Sequence, residues 1–378
     1  MKKGFDRLRG VAAASAMGLG LIGAGSVRAA STALPIANLT RGSAIWKTIQ
    51  NQSPLFSGTF STIVTDTTLF TSQRFSHFAG SSLTAFAIAD VSASGFAEAF
   101  NNALHLAVNG VLFVNPDTSV DLTGDTVSSD TRILADVDTE IQYYFHPVRP
   151  VVRAMYSFKN NSSSEISIKA LIAGALSSAS NTTIQQTSID SSAPVIADDQ
   201  DLWRVSNDQT NLGTNSSTVP AITLTRFGTG ASIIPISVLT LGDGSFNTGG
   251  PGNFGERYDI TIAAGETARI LVFAEINKTI AEATSCAVDF ASLDAAFTAG
   301  MLTGLSFTEV NEVVNYGALG SITAPATTCV KIENAVPTDP GDTTPPDEDE
   351  ETGALNLTAL TTLLGLLTLV RVGRNKKA

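Results

Sequence analysis

The stretch that most limits what this chain can become runs from Thr139 to Ala173. Ile141, Tyr143 and Phe145 alternate with Glu140, Gln142 and Tyr144, and Val152, Ala154, Tyr156 and Phe158 alternate with Arg153, Met155 and Ser157. After the polar turn Asn160–Ser164, the apolar residues Ile166, Ile168, Ala170 and Ile172 repeat the pattern. A period of two places alternate side chains on opposite faces of an extended chain. The segment therefore reads as three successive antiparallel strands with one face buried.

Similar signals extend along the chain. Leu83–Val91 alternates. Leu104–Val114 holds Asn109-Gly110 between two β-prone runs, which marks a two-residue hairpin because both turn positions need positive φ. Leu104, Leu106 and Val108 then share one face, and His105 takes the other, wetter one. Leu202–Val205, Ile222–Phe227 and Ile233–Leu241 add strands, followed by a glycine-rich loop, Gly242–Gly255. Tyr258–Ile262 and Thr267–Ile276 read as a hairpin around Ala263-Ala264-Gly265-Glu266.

The period changes near the end of the body. Asp289 can cap a helix carrying Leu293, Ala296 and Phe297 and stopping at Gly300. Ser306-Phe307-Thr308-Glu309 is a capping box, with Leu305 and Val310 placed as a hydrophobic staple. Val310, Val313 and Val314 form the apolar face, and Gly317 is a natural stop. The fold predicted is mainly β: an antiparallel β-sandwich, large or double, with a short helical unit at about 286–317. There is no internal repeat and no firm linker between 30 and 330.

Both ends of the chain carry transport signals. Lys2, Lys3, Arg7 and Arg9 precede the apolar run Gly10–Gly25, and Val27-Arg28-Ala29 suits cleavage after Ala29. Residues 1–29 thus read as a secretory signal peptide to be taken by the export machinery. Residues 30–335 are the exported body. Residues 336–352 form an acidic, Pro-rich spacer. From Gly353 to Val370 the chain is almost wholly apolar, and Arg371, Arg374, Lys376 and Lys377 follow. That block would span about 26 Å as a helix, near the ~30 Å of a bilayer core, with the basic end held on the cytoplasmic side.

Spacer, apolar helix and basic end together resemble the C-terminal sorting signals of Gram-negative bacteria. The nearest type is GlyGly-CTERM, which is handled by a rhomboid-like intramembrane protease. Thr352-Gly353-Ala354-Leu355 occupies the motif position, with one glycine where that family shows a glycine-rich group. The resemblance covers the last ~30 residues. It implies a sorting protease as partner, a cut near Gly353, and contact with the membrane through the tail before processing. A plain C-terminal membrane anchor is the alternative. Within the body, Tyr144–Asn160 and Asp201-Leu202-Trp203-Arg204-Val205 resemble strands of secreted bacterial β-proteins that have no assigned activity.

Charge narrows the partners. The leader holds five basic residues and one acidic, and four basic residues follow Thr352, leaving 14 basic and 34 acidic residues between, a net of −20. Nucleic acid and anionic lipid surfaces would repel a body and spacer of that combined charge. The two cysteines, Cys286 and Cys329, both lie in the exported segment and suit a disulfide. It would close a loop of about 44 residues, worth ~3–4 kcal/mol by chain entropy.

Catalytic signatures are sparse. The three histidines, His77, His105 and His146, show no i, i+4 pair and no HExxH. Gly18–Gly23 and Gly250–Gly255 match G-x-G-x-x-G, but the first lies in the leader and a strand follows the second, so neither cradles phosphate. Asp198, Asp199 and Asp201 form an acidic turn that could take Ca²⁺, though without the D-x-[DN]-x-[DN]-G frame. Trp203, Tyr143, Tyr144 and Tyr156 could stack on a surface glycan; in an antiparallel sheet such residues more often pack across strands. The reading that follows is an exported, surface-displayed or released, non-enzymatic β-sandwich protein. A secreted polysaccharide-acting hydrolase and a Ca²⁺-dependent adhesion module are the alternatives.

Overall fold

The computed structural model describes residues 30–52, 85–178, 182–190, 200–208, 219–239, 252–320 and Cys329. The signal peptide, His77, Asp198, Asp199, most of the glycine-rich loop, the acidic spacer and the apolar block Gly353–Val370 lie outside them. The chain divides into two units, Met1–Pro337 and Thr338–Ala378, and every described residue belongs to the first.

Strands dominate. In chain order they are β1 (Ala30–Ala33), β2 (Ile36–Arg41), β3 (Ala44–Gln52), β4 (Ala85–Ala93), β5 (His105–Val108), β6 (Val111–Leu112), β7 (Ser119–Thr123), β8 (Thr126–Ser128) and β9 (Arg132–Leu134). The long strands β10 (Val137–Phe145), β11 (Val151–Lys159) and β12 (Ile166–Ala175) follow, then β13 (Thr183–Thr187), β14 (Trp203–Asn207), β15 (Ala221–Thr225), β16 (Ile236–Leu239), β17 (Asn253–Ile262) and β18 (Thr267–Asn277). Ten of them form one sheet, ordered β1-β7-β8-β10-β11-β18-β15-β14-β13 with β9 beside β10. A five-stranded sheet runs β16-β17-β12-β5-β6, and a three-stranded one runs β2-β3-β4. These pairings are antiparallel.

The sheets share a core. Ile141, Tyr143, Tyr156 and Val272 of the large sheet meet Leu106, Ile168 and Tyr258 of the five-stranded sheet and Trp46 and Phe86 of the three-stranded one. Phe86 stacks on Tyr143 at 5.5 Å, and Trp46 meets Phe145 at 4.9 Å. Each such buried side chain contributes about 1.5–3 kcal/mol through area removed from water.

β10 and β11 pair as the alternation predicts, with Ile141 opposite Tyr156. The third strand departs from expectation: β12 crosses to the five-stranded sheet between β17 and β5, and β11 pairs instead with β18. The predicted hairpin over Tyr258–Ile276 divides in the same way, with β17 in the smaller sheet and β18 in the larger. Alternation specifies which face is buried and leaves the neighbouring strand open. Both turns are corners between layers, and Asn160 ties them together. Its side-chain amide donates to the carbonyls of Ser164, Ile262 and Ala263, and its carbonyl accepts from the Gly265 N–H.

The Asn109-Gly110 turn forms with φ of 47° and 79°. Leu104 stands just before β5 with φ of 63°, and its carbonyl accepts the hydroxyls of Tyr143 and Tyr156, each at 2.8 Å. His105 corrects the sequence reading. It is 2% exposed, buried with Ala107, Leu171 and Ala173 on the side opposite the shared core.

The helical unit covers the other face of the large sheet. Helix α1 (Ile280–Ala287) begins before Cys286 with a Thr279–Glu282 capping box that the sequence reading missed. Asp289 caps no α-helix; it lies in a 3₁₀ turn, Val288–Phe290, and Ser292 caps α2 (Leu293–Thr298). Gly300, with φ of 76°, stands just past α2 and ends that helix as expected. The capping box of Ser306 and Glu309 opens α3 (Phe307–Asn311), which stops short of Gly317. Gly317 has a packing role instead: an added Cβ would stand 2.7 Å from the carbonyl oxygen of Thr229. Phe290, Leu293, Met301, Val310 and Tyr316 pack against Val151, Met155, Leu271 and Phe273 of the sheet.

Candidate functional site

The aromatic residues proposed as a sugar platform are core. Tyr143, Tyr156 and Trp203 are buried, and Trp203 packs with Val205, Ala221 and the Ala283 and Ala287 methyls of α1. Tyr144 is covered by the Arg153 guanidinium, 4.7 Å above its ring. Asp201 does not sit on an exposed acidic turn; it is buried, and its carbonyl accepts from Arg226 Nη1 at 3.0 Å. Burial pushes the His105 imidazole down to about 3, so it stays neutral over the ordinary pH range. His146 Nδ1 accepts from the N–H groups of Val148 and Arg149, shaping the loop into β11.

Two buried ionic clusters emerge that sequence reasoning did not foresee. The first fastens the helical unit. Arg149 donates from Nε and Nη2 to the two oxygens of Glu275, at 2.8 and 2.9 Å, and from Nη1 to Asp289. Burial raises the Glu275 carboxyl above its ordinary value, a shift that Arg149 opposes. Cys286 and Cys329 are joined beside it, with Cα atoms 4.4 Å apart. Glu275 and the two sulfurs all lie within 4.8 Å of one another. Arg153 adds a second fastening through Nη1 to the carbonyls of Met301 and Thr303, and burial lowers its guanidinium to about 10. Arg269 adds a third, through Nε to Glu312 at 2.7 Å.

The second cluster lies between the two layers. Arg204 Nη1 and Arg226 Nε each approach Glu256 Oε1 at 3.0 Å, from the large sheet to the small. The Ser237 hydroxyl donates to Glu256 and accepts from both arginines. A cavity of about 20 Å³ adjoins them, walled by Ile172, Leu224, Phe254 and Val272. That is room for one water. Two guanidinium forks facing one carboxylate form a carboxylate-recognition geometry, and here the protein's own Glu256 occupies it. Strand β14 supplies Arg204 between Trp203 and Val205, so alternation could have flagged an inward arginine.

An open hollow of about 430 Å³ lies over β12 and β17 beside the Asn109 turn. Ser167, Lys169, Asp259 and Thr261 line it on rigid strands, and Asn109 Oδ1 accepts from the Lys169 N–H.

Fold and clusters together define an antiparallel β-sandwich whose outer face carries a disulfide-fastened helical cap. The sequence matches no protein-family model and no curated protein. Solved structures with some likeness include a polysaccharide lyase, 14% identical over 50% of this chain and 30% of that one with a TM-score of 0.29. A heparinase III gene product is 9% identical over 48% of this chain and 24% of that one, with a TM-score of 0.27. The chain spans less than a third of either, and at these scores neither bears on its activity. Among the described residues no helix is long and apolar enough to cross a membrane.

Proposed function

We propose that this chain is an exported β-sandwich protein, displayed on or released from the surface of a Gram-negative bacterium, whose role is non-enzymatic. The observation that carries the reading is the Cys286–Cys329 disulfide in a strongly acidic body. Such bonds persist in oxidising compartments and are rare in the cytosol. In support, the aromatic residues singled out for chemistry are packed into the core, and the buried arginines fasten one element to another. The export machinery handles the leader, a sorting protease acts near Gly353, and the tail meets the membrane before that cut. Fractionation with thiol alkylation before lysis tests this. Protein outside the inner membrane with both cysteines blocked to alkylation supports the reading; cytosolic protein with two reactive thiols refutes it.

A second reading, contact with a surface glycan, draws on the hollow at Lys169 and Asp259, whose amide, hydroxyl and charged groups suit sugar hydroxyls. A polysaccharide panel read for binding and for reducing-sugar release separates the outcomes. Binding without release fits a displayed glycan reader, and release makes the chain a hydrolase. A Ca²⁺-dependent rise in melting temperature is the corresponding test of an adhesion module around Asp198 and Asp199.

A further inference from the structure

We propose that Glu275, Cys286 and Cys329 form a thiol-gated site for one borderline-soft divalent cation, zinc by preference. The site is closed while the two sulfurs are bonded to each other and open once a dithiol reductant has parted them.

One Glu275 oxygen and both sulfurs lie within 4.8 Å of one another. The two sulfurs are near each other because they are bonded, so the informative distance is that of the Glu275 oxygen from them. Zinc holds sulfur at ~2.3 Å and carboxylate oxygen at ~2.0–2.2 Å. Once reduction parts the thiols, Glu275 stands close enough to share a metal with both. Glu275 and Cys286 are buried, and their surroundings are built. Cys286 is set by the last turn of α1, whose start is fixed by the Thr279–Glu282 capping box. The Glu275 carboxylate is held in plane by the two parallel bonds from Arg149. Each carboxylate oxygen accepting from Arg149 keeps a second lone pair for a metal. Arg149 is thus placed as the outer partner that orients a ligating carboxylate.

Charge supports the exchange. In the closed state Arg149, Glu275 and Asp289 carry one positive and two negative charges when ionised. A dithiol reductant passes two electrons to the protein disulfide and becomes a disulfide itself, leaving two neutral thiols. Zinc then displaces both thiol protons, and one Zn²⁺ balances two thiolates. The buried cluster therefore has the same net charge closed or metal-loaded. Two thiolates without metal would add two uncompensated buried charges, which is costly, so the protons leave only as the metal enters. Two thiolates and one carboxylate suit zinc and disfavour Ca²⁺ and Mg²⁺, which take oxygen ligands.

The test uses the full chain, reduced anaerobically with dithiothreitol, freed of reductant, and titrated with Co²⁺ and then Zn²⁺. We expect one Co²⁺ per chain with a thiolate-to-cobalt absorption band, displacement by Zn²⁺, and release of two protons. The oxidised protein and C286S/C329S should show no band. E275Q should keep both thiols and bind at least ten-fold more weakly. Loss of fold on reduction that zinc reverses also supports the site. No band from a folded, reduced protein overturns it, as does equal binding by the oxidised form, by C286S/C329S or by E275Q, or a loss of fold that zinc does not restore.

Discussion

Arg149 grips both carboxylate oxygens of Glu275 across 126 residues of sequence, and its third nitrogen reaches Asp289 in the 3₁₀ turn. One side chain in the loop before β11 thus joins β18 to the helical unit. Removing it leaves Glu275 buried without a counter-charge. Breaking a buried pair in this way costs about 3–5 kcal/mol. R149M should therefore lower the unfolding free energy by an amount of that order, read as a lower urea midpoint at unchanged slope, with the disulfide intact.

The same pair sets a pH dependence. Burial raises the Glu275 carboxyl above 4.5, so the native state keeps its proton at a pH where the unfolded chain has lost it. In that window the unfolded chain binds fewer protons, and stability falls as pH rises. E275Q has no such proton to hold. Its stability should decline less steeply than the parent's as pH rises from 4.5, measured by denaturant melts at half-unit steps.

His105 acts with the opposite sign. Its imidazole titrates near 3 in the fold against 6.5 when exposed, so the unfolded chain binds more protons between those values. Its contribution is complete above pH 6.5 and is lost as pH falls, by about 2 kcal/mol at pH 5. H105Q should flatten the acid limb by that amount, whatever its own effect at pH 7.5.

Asn160 fixes the two corners at which the chain changes layers. N160A leaves the carbonyls of Ser164, Ile262 and Ala263 short of a donor. At ~1–3 kcal/mol for a buried polar group left unsatisfied, a loss of about 3 kcal/mol is expected in thermal or denaturant melts.

These corners also show what the sequence made legible. The alternation of Ile141, Tyr143 and Phe145 against Glu140, Gln142 and Tyr144 located β10 and its buried face, because a pleated strand exposes a period of two. The capping box at Ser306 and Glu309 located α3, because those two side chains answer the free N–H groups of the first turn. The sheet each strand joins is a long-range choice: β11 takes β18, over a hundred residues away, in place of β12. The buried clusters were hidden for a related reason. Arg204, Arg226 and Glu256 look like surface charges in sequence, and only the meeting of two layers neutralises them. Asp201 and Trp203 misled because packing claimed residues that their types alone would offer to a ligand.

The most direct measurement is the intact mass of the protein recovered from outside the inner membrane, before and after reduction and alkylation. The expected species begins at Ala30, ends near Gly353, and takes up two alkyl groups only after reduction. A full-length chain from Met1 to Ala378 that alkylates twice without reduction would contradict the export of a disulfide-closed body.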